Sequence, residues 1–472
     1  MDYPAAAMLT RLRLKNFKAW KDSGELRLAP LTVFFGANSA GKSSVSQLLR
    51  LLRDTVASPD RQRALQLGDP LDPAGTPGFE ELVHGRDVRR ELGFGLGWKL
   101  ERPLVVRDPL TERRFTGDAL RFDARIGADR RGQPQTRGFR YELDEGGLER
   151  LSVDFEQRLS ASGARATKGF TLASAQLPLA PNPGRLRALP GPQRFYGFPD
   201  EVSAWYRNTA FTDDLVLELE RLLRSVVSLG PMREPPRRLY VGSGETPRHV
   251  GHRGEKTIEA LLAAGRRSFL LRPGQKPRTL QTLVAERLLS MGLIHDFAVE
   301  AVSRSGRVHE VWVRTAKGLP RVKLTDVGFG VSQVLPVIVE CFYIPRRTIA
   351  IVEQPELHLH PRVQSDVADL FVDAVRAQEN GAPRDCQFLV ESHSEHFLRR
   401  LQRLIAEERL RPEEAALYFV ETVRGQARVR ELEVDAFGNI LNWPEGFFGD
   451  EMGDLLARSE AQARRMHQER PG

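Results

Sequence analysis

The chain has 472 residues, 41% hydrophobic and 28% charged, so it exceeds one small domain and can bury a substantial core. It contains no apolar run long enough to cross a membrane and no secretion signal at its start, so we expect a cytoplasmic protein without membrane association. The formal net charge of +8 is carried mostly by arginine. Such a charge suits the phosphates of nucleic acid, or it reflects an ordinary solvated surface; composition leaves both open.

Strand patterns dominate the N-terminal part of the chain. Residues 11–35 alternate and then become apolar, which predicts strands that end in a buried one. A glycine-rich loop follows, and from Ser43 the apolar positions have helical spacing. Short alternating runs over 89–175 predict a β-rich region. Helical patterns come next, at 214–228, 255–271 and 278–292.

Beyond about residue 320, helical patterns alternate with short apolar runs. This alternation predicts a parallel sheet covered by helices. A hairpin and a charged terminal helix are predicted to follow. Cys341 and Cys386 are the only cysteines, and their apolar surroundings predict core thiols and no disulfide. The predicted helices are 331–342, 363–377 and 395–407, and the predicted strands are 348–352, 387–390, 415–422 and 428–434.

Residues 36–43 match the pattern G-x-x-x-x-G-K-[ST] in full, between a predicted strand and a predicted helix. Glycines let the backbone wrap around phosphate, and the helix N-terminus attracts the anion. Lys42 reaches the β- and γ-phosphates, and the Ser43 hydroxyl is a magnesium ligand. The pattern therefore predicts binding of ATP with Mg²⁺. The predicted nucleotide-binding residues are Gly36, Ala37, Asn38, Ser39, Ala40, Gly41, Lys42, Ser43 and Ser44.

A second acidic motif follows the predicted strand at 348–352, at the edge where α/β sheets bind ligands. Glu353 would hold magnesium together with Ser43. The next position, where a carboxylate would activate water, is Gln354, whose amide orients water but accepts no proton at neutral pH. We therefore expect either slow hydrolysis or a transfer of the base role to Glu356.

These motifs resemble the ABC-type ATPase heads of the SMC, RecF and OLD group. More closely, they resemble bacterial AAA-family ATPases with RecF/OLD-like heads that end in a short domain of unknown function. The resemblance covers nearly the whole chain. It implies an α/β P-loop NTPase of the ABC/SMC-head type, with a mostly parallel sheet, a β-rich N-terminal lobe and a mixed α+β insertion. The further motifs that carry it lie at 79–87, 230–235, 326–333, 357–361, 392–394 and 443–448.

The resemblance implies a homodimer or higher homo-oligomer in which two chains sandwich two nucleotides. One chain gives its phosphate loop to each ATP, and the partner gives a signature segment, placed here at 328–333. Gly328, Gly330 and Ser332 thereby join the predicted nucleotide-binding residues; Gly328 stands where the family has serine, and Ser332 is the substitute. A glycine-rich turn that opens a helix also offers N–H groups to phosphate on physical grounds. His393 matches the switch histidine and is predicted, with Glu353, Gln354 and Glu356, to be catalytic.

The sequence also raises the question of a metal site and of a nuclease site. His358, His360, His393 and His396 have spacings that suggest a metal site, but they have no cysteine companions and the resemblance places them around the nucleotide. We therefore predict no zinc. A nuclease would need its own carboxylate cluster, which Asp435 and the acids at 366–369 do not supply. We expect any nuclease to be a partner chain.

Lys42 and Glu353 are far apart in the sequence, so the ATPase head must be assembled from both ends of the chain. We predict that 1–105 and 320–430 form the head, that 106–319 is an insertion, and that 431–472 is a C-terminal tail domain.

Two functions remain open. The first is a slow ATPase, converting ATP and water to ADP and phosphate, that dimerises on ATP and acts on DNA in repair or antiphage defence. The second is a nucleotide-gated scaffold or sensor with weak hydrolysis that controls an effector such as a nuclease. Gln354 is the residue that separates them.

Overall fold

The computed structural model describes residues 8–68, 78–158, 169–184, 188–242, 244–272, 274–302, 307–444, 458–459 and 461–462. Its helices are α1 (Ser43–Ala57), α2 (Phe79–Leu82), α3 (Glu201–Trp205), α4 (Phe211–Arg224), α5 (Thr257–Ala263), α6 (Leu280–Ser290), α7 (Phe329–Tyr343), α8 (Pro361–Arg376) and α9 (Glu395–Ala406). Short 3₁₀ turns cover His84–Arg86, Leu324–Asp326 and Pro412–Glu414.

The strands of the N-terminal part are β1 (Met8–Phe17), β2 (Trp20–Asp22), β3 (Leu26–Arg27), β4 (Leu31–Gly36), β5 (Leu92–Arg107), β6 (Arg114–Ala128), β7 (Pro134–Glu145), β8 (Leu148–Gln157) and β9 (Phe170–Ala173). Those of the middle are β10 (Val226–Leu229), β11 (Tyr240–Val241), β12 (Ser268–Leu270), β13 (Arg278–Thr279), β14 (Asp296–Ala301), β15 (Val308–Arg314) and β16 (Val322–Lys323). The remainder are β17 (Ile349–Glu353), β18 (Gln378–Glu379), β19 (Ala382–Pro383), β20 (Gln387–Glu391), β21 (Ala415–Val423) and β22 (Gln426–Glu431).

A six-stranded sheet forms the centre of the fold, in the order β10-β17-β20-β4-β21-β22. Every pair in it is parallel except β21 with β22, which form the predicted hairpin. Strands β4, β17 and β20 are buried along their whole length, as their apolar runs predict. Because these strands are parallel, their carboxyl ends meet at one edge of the sheet.

The two faces of this sheet belong to two different hydrophobic cores. Alternate residues of a strand point to opposite faces, so Ile351 packs with α1, α4 and the β-rich region, while Val352 packs with α5 to α9. Helix α1 packs into the core through a buried apolar stripe that includes Val45, Leu48 and Leu52. The P-loop therefore emerges at one edge of a parallel sheet that is covered on both faces.

The prediction of a mostly parallel sheet holds only for this central sheet. The largest sheet has eight strands, in the order β2-β1-β5-β6-β7-β8-β9 with β3 on β1, and its pairs are antiparallel. Consecutive strands joined by short turns pair as hairpins, and period-2 patterning does not reveal which sheet a strand joins. Two smaller four-stranded sheets are ordered β11-β15-β14, with β16 on β15, and β13-β12-β18-β19.

The predicted helix at 214–228 is wrong at its end. The helix α4 stops at Arg224, and Val226–Leu229 form β10, which pairs in parallel with β17. Thus a segment of the predicted insertion contributes an edge strand to the central sheet. The strand β5 also runs across the predicted boundary at residue 105 and pairs with β1. The division into domains stays a prediction.

The helix and strand alternation beyond 320 is confirmed by α7, β17, α8, β20 and α9. Cys341 and Cys386 are buried and free, as expected. The predicted terminal helix lies almost wholly outside the described residues, as do Phe447 and Phe448 of the 443–448 motif, whereas Trp443 is described. Within the described part of the chain, no helix is long and apolar enough to span a membrane.

Candidate functional site

The P-loop, residues 36–43, begins where β4 ends at Gly36. Gly36 has φ +139° and pairs with Val420 of β21, and a Cβ at this position would lie 1.9 Å from the carbonyl oxygen of Val420. Only glycine permits this approach at this backbone angle. The glycine therefore lets the chain leave the sheet sharply and turn over its edge.

The rest of the loop is fixed by its second glycine. Gly41 has φ +103°, its position is crowded by Ala19 and Ala427, and its carbonyl oxygen accepts a 3.0 Å hydrogen bond from the Trp20 indole. The loop residues Ala37, Asn38 and Ser39 are exposed, and Ala40 and Ser44 are buried. Helix α1 starts immediately after Lys42, so the predicted strand, loop and helix order is confirmed.

Lys42 is folded back over its own loop. Its ammonium donates hydrogen bonds to the carbonyl oxygens of Gly36 (3.0 Å) and Ala37 (2.6 Å). Burial lowers the pKa of Lys42, and the nearby Glu391 and Glu356 partly oppose that shift. The only side chain in the loop with a full positive charge therefore lies among backbone carbonyls and acids, in the position where phosphate is expected.

Ser43 contacts an acid that the sequence prediction missed. Its hydroxyl donates a 2.9 Å hydrogen bond to Oε1 of Glu391, the last residue of β20. Burial raises the pKa of Glu391, and its second oxygen, Oε2, is buried without a hydrogen-bond partner among the described residues. A signal was present in the sequence: Glu391 ends a buried strand directly before Ser392 and His393, just as Glu353 ends β17.

Glu353 lies beside Glu391 in the sheet register but makes different contacts. Its Oε1 accepts a 2.9 Å hydrogen bond from the Ser46 hydroxyl and lies 3.8 Å from a guanidinium nitrogen of Arg50. Ser46 and Arg50 are one turn apart on α1. The predicted magnesium-binding carboxylate is thus held by the helix that follows the P-loop.

Gln354, Glu356 and His393 form one hydrogen-bonded group. The Gln354 side-chain amide lies 3.3 Å from Nε2 of His393, and the backbone N–H of His393 donates a 2.6 Å bond to Glu356. Burial lowers the pKa of His393, with Lys42 adding to the effect, which favours the neutral ring. Burial raises the pKa of Glu356, whose Oε2 also has no partner in the described structure.

Arg233, in the loop after β10, supports the backbone beneath this group. Its guanidinium, 5% exposed, donates to the carbonyl oxygens of Glu353 (3.0 Å) and Gln354 (3.2 Å). Burial lowers its pKa to about 10, so it stays charged at neutral pH. Gln354 has φ +44°, an uncommon angle for a non-glycine residue, and Arg233 donates to the carbonyl oxygen of this residue.

The signature segment, residues 328–333, forms the start of α7. Gly328 and Phe329 are exposed, and a Cβ at Gly330 would lie 3.9 Å from the Leu359 side chain and 4.0 Å from the carbonyl oxygen of His358, in the loop after β17. The Ser332 hydroxyl donates to the carbonyl oxygen of Phe329 within the same helix, and its side chain is 7% exposed. The role of Ser332 as a substitute for the signature serine stays a prediction.

The sheet edge therefore brings together most of the predicted site: the P-loop, Glu353, Gln354, Glu356 and His393. Glu391, Ser46, Arg50 and Arg233 complete it. A lysine and a serine on a glycine loop, facing carboxylates at the ends of adjacent parallel strands, define an α/β P-loop NTPase. The protein belongs to that class by its fold and its site.

Comparison with known families agrees. Residues 299–398 match the family model described as AAA ATPase domain, and residues 410–457 match the model described as Protein of unknown function (DUF3696). The matches are to an AAA ATPase domain and, after it, to a C-terminal domain of unknown function, and they confirm that resemblance. The P-loop lies outside both matched segments and is assigned on its own geometry. No curated protein matches the chain.

Several solved structures of SMC heads are similar to the chain at 12% identity. One is an Smc head bound to the C-terminal winged-helix domain of ScpA, covering 91% of this chain and 98% of that one, with a TM-score of 0.46. A second is an Smc head with extended coiled coil bound to the C-terminal domain of ScpA, from Pyrococcus furiosus (90% and 96%, TM-score 0.44). A third is the SMC head domain from Thermotoga maritima (90% and 100%, TM-score 0.36).

Proposed function

We propose that this protein binds ATP with Mg²⁺ and hydrolyses it slowly to ADP and phosphate. The observation that carries the proposal is the meeting of Lys42 and Ser43 with Glu353, Glu356 and Glu391 at one sheet edge. A purely structural glycine turn would not need three acids, two of them with an unpartnered buried oxygen. A bound phosphate and a bound cation would give these charged groups interaction partners.

The donor set fits ATP with Mg²⁺. Magnesium binds oxygen ligands, and Ser43 offers a hydroxyl while Glu391 presents a buried carboxylate oxygen without a partner among the described residues. Lys42 would exchange its backbone carbonyl partners for the β- and γ-phosphates. When bound, magnesium neutralises charge on the phosphate oxygens. Ser43 and Glu353 are the residues that the sequence motifs assign to it.

Hydrolysis requires a group that takes a proton from the attacking water. Water forms a bond to the γ-phosphorus, the bond from that phosphorus to the β–γ bridging oxygen breaks, and ADP leaves. Gln354 orients the water through its amide, and Glu356, whose pKa is raised by burial, takes the proton. His393 would contact the γ-phosphate, as its match to the switch histidine implies, and its contact with Gln354 supports that role.

ATP-dependent dimerisation is part of the proposal. The N-terminus of α7 is exposed at Gly328, and the large apolar side chain of Phe329 is 68% exposed beside it. An exposed helix N-terminus attracts phosphate, and an exposed aromatic residue suits a protein interface. A second copy of the chain would bring its own α7 to the phosphates held here.

We place this ATPase in DNA transactions, in repair or antiphage defence, from its resemblance to RecF and OLD heads. The net positive charge supports DNA binding. Five arginines of the large antiparallel sheet do not strengthen the case, because Arg11, Arg13, Arg121, Arg125 and Arg140 all pair with carboxylates.

The second candidate is a nucleotide-gated scaffold that controls an effector, such as a nuclease, in a partner chain. Gln354 favours it, because a glutamine at this position slows turnover and prolongs the ATP-bound state. The two functions differ in what stimulates phosphate release. DNA should accelerate it in the first, whereas the partner should respond to ATP binding alone in the second.

The test is phosphate release by the purified chain with ATP and Mg²⁺. Lys42→Ala should abolish release and weaken ATP binding by about 10- to 100-fold, the value of one charge-assisted contact. Lys21→Ala, at an exposed lysine outside the loop, is the matched control and should behave like wild type. Phosphate release unaffected by Lys42→Ala would refute the assignment.

A further inference from the structure

Two glutamates end neighbouring strands at the P-loop, and only one of them contacts its metal-binding hydroxyl. We propose that Glu391, rather than Glu353, is the carboxylate that binds the magnesium ion of Mg·ATP together with Ser43. The proposal rests on the proposed function, because it assumes that the P-loop binds ATP. It assigns a binding role to a residue outside the sequence motifs and gives Glu353 a different one.

The contacts of Glu391 point towards the cation. Its Oε1 accepts the Ser43 hydroxyl at 2.9 Å, and Ser43 is the P-loop position whose oxygen ligates magnesium. Its Oε2 is buried with no hydrogen-bond partner in the described structure, and the residue as a whole is only 7% exposed. A buried carboxylate oxygen without a partner is costly, and a cation beside Ser43 would remove that cost.

The backbone of Glu391 is held firmly in place. It is the last residue of β20, paired in register with Glu353 of β17 and with Phe34 of β4. Its carbonyl oxygen accepts a 2.8 Å hydrogen bond from the backbone N–H of Gln354. The side chain therefore projects from a strand in the middle of the sheet, one strand away from the loop that would hold the phosphates.

The carboxylate of Glu353 makes its contacts with helix α1. Its Oε1 accepts the Ser46 hydroxyl and faces Arg50, which in turn lies 2.9 Å from the His252 ring. These contacts tie the end of β17 to α1 one turn beyond Ser43. We therefore assign Glu353 the role of a positioning residue that fixes α1, and with it the P-loop, against the sheet.

The test measures cation binding and needs no turnover. Mn²⁺ replaces Mg²⁺, and free Mn²⁺ is followed by electron paramagnetic resonance while protein with a non-hydrolysable ATP analogue is titrated. Affinity for the analogue is measured in parallel with a chelator present. The variants are Glu391→Gln and Glu353→Gln, and the matched control is Glu407→Gln, whose exposed carboxylate pairs with Arg403 on the surface of α9.

Glu391→Gln should weaken Mn²⁺ binding in the ternary complex by about tenfold or more and leave analogue affinity in chelator within about twofold. Glu353→Gln should lose less Mn²⁺ affinity and lower the melting temperature instead. The reverse ranking, with Glu353→Gln losing the cation and Glu391→Gln keeping it, would overturn the proposal. If Glu391→Gln does not fold, Glu391→Asp replaces it: weakened Mn²⁺ binding supports the assignment, and unchanged binding refutes it.

Failure of the proposed function would look different. Wild type would then bind no analogue with or without Mn²⁺, and Lys42→Ala would change nothing. Wild-type binding that depends on Lys42 but not on Glu391 would leave the ATPase assignment standing and remove only this inference.

Discussion

Arg233 holds the backbone of Gln354 by donating from two guanidinium nitrogens to its carbonyl oxygen, at 3.3 and 3.2 Å. The two residues are 121 positions apart. One comes from the loop after β10 and the other from the turn after β17, and these strands are parallel neighbours. The loop after β10 is therefore part of the sheet edge that carries the candidate site and not merely a connection to the middle of the chain.

Replacing Arg233 should disturb both stability and turnover. Arg233→Ala removes a buried charged donor and leaves two carbonyl oxygens poorly satisfied, so we expect about 3 kcal/mol of lost unfolding free energy and a lower kcat. Arg237→Ala is the control, because Arg237 is exposed and makes only a surface pair with Glu234. Denaturant unfolding and phosphate release measure the two effects; equal behaviour of both variants would contradict the role of Arg233.

The catalytic base can be located by exchanging amide and acid. Gln354→Glu introduces a carboxylate next to His393 and should speed phosphate release by about tenfold or more, since general-base catalysis is worth about 100-fold or more. Glu356→Gln should slow it by a similar factor while ATP binding persists. Gln275→Glu, at an exposed position outside the site, is the control for added charge. Faster release in Gln354→Glu together with unchanged release in Glu356→Gln would exclude Glu356 as the base.

Dimerisation should depend on the exposed aromatic residue at the start of α7. Phe329→Glu places a charge at the proposed interface and should abolish the increase in mass that light scattering detects on adding a non-hydrolysable ATP analogue. Leu148→Glu is a matched control, because Leu148 of β8 is 64% exposed, close to the 68% of Phe329. Dimers that survive Phe329→Glu would place the interface elsewhere.

The buried Glu340 of α7 should make stability fall as pH rises. Burial raises its pKa from 4.5 to about 8, and Oε2 accepts a 3.0 Å bond from the N–H of Val250 while Oε1 faces His249, whose pKa burial lowers to about 4. Glu340 therefore takes up a proton on folding between about pH 4.5 and 8, and by itself this costs the folded state up to about 1.4 kcal/mol per pH unit. The lowered pKa of His249 acts in the opposite direction below about pH 6.5, so the net fall in stability is expected between about pH 6.5 and 8.

Glu340→Gln stays neutral and should remove this dependence. Its stability relative to wild type should increase from about pH 5 to about pH 8 and then level off. Glu413→Gln, at an exposed glutamate, should follow the wild-type curve. Chemical denaturation at several pH values checks the result, and parallel curves for wild type and Glu340→Gln would show that Glu340 is not the titrating group.

Local sequence patterns predicted the parts of the fold that depend on local physics. The P-loop can be predicted from its sequence pattern because its glycines meet local requirements of the backbone. Gly36, for example, has a positive φ and lies too close to the Val420 carbonyl oxygen for any side chain. The buried strands β17 and β20 and the amphipathic helix α8 follow from apolar runs and helical spacing. The end of α4 was not predictable in this way, since the four apolar residues of β10 fit either a helix or a buried strand.

The sequence by itself determined that a phosphate loop, a strand ending in Glu353 and the histidine His393 would meet at one sheet edge. Parallel strands place their carboxyl ends together, so the motifs alone imply it. Only the tertiary structure decided which carboxylate faces Ser43. Strand register sets Glu391 beside Glu353, and contacts with Ser46 and Arg50 draw Glu353 towards α1. Side-chain direction depends on partners distant in sequence, which a local pattern does not contain.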